Sequence, residues 1–124
     1  MPLDKTKMII PADPKYALIS YAAGMRWQKE VGGFALNGLH IATDDRSKLM
    51  LAGARAAAET NPDFNTQWKS ADNSFVSLNA QELITISNAV LAHVSNCFSI
   101  EAQVLASIND GLISEPAQID AAFA

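Results

Sequence analysis

His93, Cys97 and Glu101 recur at every fourth residue. On a helix that spacing lines side chains along one flank, so the three could share a ligand. A cysteine beside a histidine can form a thiolate nucleophile, and all three residue types bind zinc. The pattern is of low specificity. The chain has no H-E-x-x-H or C-x-x-C pair. Cys97 falls in the middle of an apolar arc, where a thiol packs as a small apolar filler. Glu101 falls inside the same arc, where a carboxylate needs a partner or a raised pKa. It reads as a structural acceptor for backbone N–H groups or for a Lys or Trp donor. His93 reads as a boundary residue and His40 as a hairpin surface residue. No catalytic residue, metal ligand or cofactor is assigned.

The remaining motifs are structural. Gly32-Gly33 and Gly38 mark turns, and neither G-x-G-x-x-G nor a Lys-terminated phosphate loop is present. Asp44-Asp45 resembles a metal pair but also suits the positive end of a helix. Trp68 and Phe75 flank a hairpin turn, a spacing that suits packing across it.

These residues must be positioned by a short series of elements. Residues 1–12 read as an extended arm carrying Met8, Ile9 and Ile10 between Pro2 and Pro11. Asp13-Pro14 starts a helix, with Asp as N-cap and Pro in the first turn, and Gly32-Gly33 stops it after Val31. Leu18, Tyr21, Ala22 and Met25 share its apolar face. Asn37-Gly38 predicts a type I′ hairpin over 34–41. Thr43 can cap the next helix, which runs to about Thr60, before Asn61-Pro62. Its middle is Ala52-Gly53-Ala54-Arg55-Ala56-Ala57-Ala58, and Gly53 reads as kept for close packing despite a cost of about 1 kcal/mol. A second hairpin is expected over 66–70 and 74–78. Asn79 and Glu82 then form a reciprocal cap for a long helix over 80–109, closed by Gly111. Ser114-Glu115-Pro116 is a further helix start, with Ile119 and Phe123 one turn apart.

The expected fold is α+β, with three main helices and two short β-hairpins that can pair into one small antiparallel sheet. Residues 1–12 form the arm, 13–111 a single domain, and 112–124 a C-terminal tail with a short helix. At 124 residues and 49% hydrophobic, the chain can bury a core. A net charge of -4 with scattered Lys and Arg argues against nucleic acid. One cysteine excludes an intramolecular disulfide and suggests a reducing compartment. No apolar run is read as approaching the roughly 18–20 residues of a membrane span, and the N-terminus lacks a secretory signal pattern. A soluble cytoplasmic product is expected.

On the long helix, Leu83, Ile86, Val90, Val94, Cys97, Val104 and Ile108 fall on one side, and Ile84, Leu91, Phe98 and Leu105 form a neighbouring row spaced by seven. Together they cover roughly 160° at about 100° per residue, where covering one sheet needs about 100°. The excess implies contact on two sides: the chain's own elements, and either the first helix or another subunit.

The run G-F-A-L-N-G-L-H-I-A-T-D-D-R-S-K, the alanine-rich helix, W-K-S-A-D-N-S-F-V-S-L-N-A-Q-E-L and A-V-L-A-H-V-S-N-C-F-S-I-E-A-Q-V-L-A-S-I together resemble an uncharacterised phage domain. That domain occurs in tail-fibre and tail-fibre-assembly proteins of tailed bacteriophages and their prophages. The resemblance covers residues 31–109 and leaves the first thirty residues and the tail unmatched. It implies a fibre-associated structural module or assembly chaperone with no catalytic residues, acting in the host bacterial cytoplasm during assembly or in the virion tail. The expected partner is a phage tail-fibre protein, with homo-oligomerisation as a further contact and neither nucleic acid nor membrane involved. The expected protein-binding residues are Met8, Ile9, Ile10, Trp27, Ile84, Leu91, Phe98, Ile119 and Phe123. The alternative is a small phage inhibitor that blocks a host protein with its acidic surface.

Overall fold

The structure is a computed structural model that describes residues 13–124. The expected arm contacts Met8, Ile9 and Ile10 lie outside the described residues. The elements run α1 (Pro14–Val31), β1 (Phe34–Leu36), β2 (Leu39–Ile41), α2 (Asp45–Thr60), β3 (Asn65–Lys69), β4 (Phe75–Asn79), α3 (Ala80–Asn109) and α4 (Pro116–Phe123). The fold is α+β, as expected, with the long helix near the C-terminus. The described residues divide into two units: Gln28–Cys97, and 13–27 together with Phe98–Ala124.

The Gln28–Cys97 unit holds both hairpins and α2. Asn37 and Gly38 take φ of 50° and 81°, the two positive values a type I′ turn requires, and pair Phe34 with Ile41 and Leu36 with Leu39. The second hairpin pairs Asn65 with Asn79 through Lys69 with Phe75. Of the two arrangements open to the hairpins, they take two separate two-stranded sheets among the described residues and do not pair into one. The link between them is local: His40 O accepts from Ala71 N at 3.4 Å and from Ser70 Oγ at 3.3 Å. Ile41, Leu51, Leu78, Leu83, Ile86 and Val90 form the core of this unit.

Thr43 does not cap α2. It is fully buried, accepts from Gly33 N at 2.8 Å and donates to Glu30 O at 2.6 Å, so it satisfies backbone groups at the end of α1. Asp44 takes the N-cap position, and its side chain accepts from Ser47 N at 3.3 Å. Gly33 is required at the close of α1. Its φ is 78°, and a Cβ there would lie 2.7 Å from Ile41 O.

Gly53 has a different status from the one its sequence context suggests. A Cβ at Gly53 would meet nothing within 4 Å, so no internal packing requires it. Gly53→Ala should raise the unfolding free energy by about 0.5–1 kcal/mol by restricting the unfolded chain and favouring helix. A urea midpoint that falls instead would show that the position is constrained.

Asn79 and Glu82 cap α3 reciprocally: Asn79 N donates to Glu82 Oε1 at 3.1 Å and Glu82 N to Asn79 Oδ1 at 2.9 Å. The far end closes in a Schellman arrangement, with Leu112 N on Ser107 O at 2.9 Å and Gly111 N on Ile108 O at 3.1 Å. By length and composition alone α3 could cross a membrane, although core helices of folded domains pass the same test. Its apolar side chains Leu83, Ile86, Val90, Cys97, Val104 and Ile108 are buried.

The second unit packs Leu18, Ala22, Val104, Ile108, Ile119 and Phe123 together. α4 starts at Pro116, with Gln118 Oε1 accepting from Ser114 N at 2.8 Å and Glu115 N at 3.1 Å. Tyr21 donates its hydroxyl to Asp120. Residues 112–124 therefore carry a short helix that completes a core.

Candidate functional site

His93 and Glu101 are each engaged by a different neighbour. His93 Nε2 lies 2.9 Å from Lys29 O, and its ring stacks on Phe34 with centroids 4.9 Å apart. Cys97 is only 4% exposed, as its place in the apolar arc suggests. Glu101 Oε1 accepts from Arg26 Nε at 2.9 Å, so its partner is an arginine and neither Lys nor Trp. The same guanidinium lies 4.5 Å from the centroid of the Phe98 ring. No group of three potential metal ligands occurs among the described residues. Cys97 in the folded protein should react with iodoacetamide at least tenfold more slowly than in urea, because the thiolate is the reactive form and burial hides it. Equal rates would restore the thiol to consideration.

What the geometry leaves open is apolar surface. In the Gln28–Cys97 unit the first row of α3 is buried or nearly so, whereas Leu91 in the second row is 65% exposed. Leu91 lines a groove of about 460 Å³ with Leu51 and Ala52 of α2 and Val90 and Val94 of α3. Two cations on that groove are already neutralised. Lys48 Nζ lies 2.6 Å from Glu30 Oε2, a contact that raises its pKa above the ordinary lysine value. Arg55 pairs with Glu59 at 2.8 Å and donates to Asn88 Oδ1 at 2.6 Å. The groove floor thus presents methyl groups, and its charged rim is already satisfied. In the other unit Trp27 is 56% and Phe98 47% exposed.

The other expected contacts are placed differently. Ile84 is half-buried against the core of its unit. Ile119 is fully buried and Phe123 is buried, so neither is available to a partner. They face α1 and α3 because α4 folds back after Gly111. Trp68 and Phe75 also do not pair. Trp68 lies opposite Val76 and Phe75 opposite Lys69, so the period of two along a strand puts them on opposite faces. Exposed Leu49, Met50, Phe75 and Leu112 were missed. Strand alternation could have found Phe75.

One comparison places the chain. A family model, Domain of unknown function (DUF4376), matches residues 13–123. The chain belongs to this family. The DUF4376 match includes α1 and α4, both beyond the 31–109 stretch that carried the phage resemblance. No curated protein and no solved structure matches the chain.

Proposed function

We propose that this DUF4376 protein is a phage tail-fibre-associated module, an assembly chaperone or structural component, that works by protein binding through the groove at Leu91. The exposure of Leu91, on a helix whose adjacent apolar row is buried, carries this reading. The resemblance of residues 31–109 to the fibre-associated phage domain supplies the partner. Burying an exposed leucine is worth about 1.5–3 kcal/mol, and the groove lined by Val90, Val94, Leu51 and Ala52 adds apolar surface around it. The proposal assigns no bond-making step. The protein would act in the host bacterial cytoplasm, and in the virion tail if it remains bound.

The test is affinity for the tail-fibre protein of the same phage or prophage. Leu91→Glu should weaken binding at least tenfold, about 1.4 kcal/mol, and leave the unfolding free energy within about 0.5 kcal/mol of wild type. Undiminished binding by the variant would sink the reading. Salt separates it from the rival. Apolar burial should be nearly insensitive to ionic strength. A small phage inhibitor using the net charge of -4 would lose association rate steeply as salt rises.

A further inference from the structure

A second cleft lies in the Gln28–Cys97 unit, between the first turns of α2 and the β3–β4 hairpin. It has a volume of about 520 Å³, within the roughly 300–1,000 Å³ of typical ligand pockets. Its walls include Arg46, Met50, Gln67, Trp68, Lys69 and Phe75.

The charge of this cleft departs from that of the chain. The protein carries a net charge of -4, yet among the described residues the two charged ones lining the cleft, Arg46 and Lys69, are both cationic. Among the described residues no acid lines the cleft. Asp44 holds Ser47, Asp45 lies 3.5 Å from Lys48, and Asp72 accepts from Ser74 at 3.0 and 2.6 Å. Arg26, Lys48 and Arg55 all have carboxylate partners, whereas Arg46 and Lys69 form no ion pair with a described residue. Met50 and Phe75 stand exposed at the same cleft.

We propose that this cleft docks an acidic peptide segment of a partner protein, with carboxylates on Arg46 and Lys69 and an apolar side chain against Met50 and Phe75. Charge complementarity selects the occupant. Two cations on an acidic chain are too few to hold a phosphate backbone. They suffice for a pair of carboxylates, and Arg46 offers a planar fork that one carboxylate can fill. Three consecutive residues of β3, Gln67, Trp68 and Lys69, line the cleft, and among the described residues β3 pairs with a strand on one edge only. An extended peptide can run beside it. This site is independent of the Leu91 groove.

The test uses the full chain, ¹⁵N-labelled, and a fluorescein-labelled peptide of four Asp-Leu-Glu repeats. The control peptide has Lys in place of every acid. We expect saturable binding below about 1 mM, weakening with salt, and amide or indole shifts at Arg46, Met50, Trp68, Lys69 and Phe75. The double variant R46E/K69E should weaken binding at least tenfold, and R46Q/K69Q less. Both residues are exposed, so both variants should melt like wild type. Leu91→Glu should leave peptide binding unchanged, which separates this site from the α3 groove. No saturable binding, equal binding of the Lys peptide, or shifts centred elsewhere would overturn the proposal.

Discussion

Replacing Leu83 by alanine should lower the free energy of unfolding by about 2–5 kcal/mol, the range for removing a large aliphatic side chain from a packed core. Leu83 is fully buried and sits among Leu51, Leu78, Ile86 and Val90. Removing its side chain forfeits transfer energy and leaves a cavity that neighbours on two helices and a strand cannot close without shifting together. Leu91→Ala, at a position 65% exposed, should change stability by no more than about 0.5 kcal/mol. Urea denaturation of both variants checks the pair. The midpoint should fall for Leu83→Ala with an unchanged slope and stay in place for Leu91→Ala. Similar losses at both positions would mean that the outward row of α3 is also internal.

Deleting residues 112–124 should be at least as damaging. The deletion removes Ile119 and Phe123, both buried against Leu18, Ala22, Val104 and Ile108. Each such side chain contributes about 1.5–3 kcal/mol by burial, and the residues it covered become exposed. A total of roughly 3–6 kcal/mol is a large part of the 5–15 kcal/mol by which folded domains typically exceed their unfolded chains. The shortened protein should therefore melt far lower or accumulate as insoluble material. Ile119→Ala tests the same burial more gently, with an expected loss of about 2–5 kcal/mol. A truncated chain with wild-type thermal stability would show that α4 is peripheral.

The two experiments mark what could and could not be read from the residues. Local signals were legible. Asn37-Gly38 dictated a hairpin because two positive φ values are needed there. Asn79 and Glu82 announced the start of α3 through the exchange of backbone and side-chain hydrogen bonds that they make. The 3.6-residue period of α3 separated Leu83, Ile86 and Val90 from its polar side because one period persists over thirty residues. Long-range choices were not legible. Ile119 and Phe123 had the spacing of an apolar face, but spacing does not say whether the covering surface belongs to the same chain. Thr43 reads as the cap of α2 in the sequence, but the backbone at Gly33 and Glu30 claims its hydroxyl and Asp44 takes the N-cap. Glu101 showed a need for a partner, but nothing in a linear pattern chose Arg26, seventy-five residues away.

For the candidate site, the seven-residue spacing of Ile84, Leu91, Phe98 and Leu105 pointed to surplus apolar surface on α3. It did not separate Ile84 and Leu105, which are half-buried, from the exposed Leu91 and Phe98. The distinction depends on which other elements pack beside each turn. The cationic cleft was invisible for a related reason. Arg46 and Lys69 are twenty-three residues apart, and only the fold places them around one cleft.

The most direct test of the central claim is contact at Leu91 during phage assembly. A photo-cross-linking residue at position 91, compared with one at exposed position 96, would report which protein lies against α3 in infected cells. The account predicts a cross-link to a tail-fibre protein from position 91 and none from position 96. Absence of any fibre-protein adduct at position 91, in cells where assembly proceeds, would contradict it.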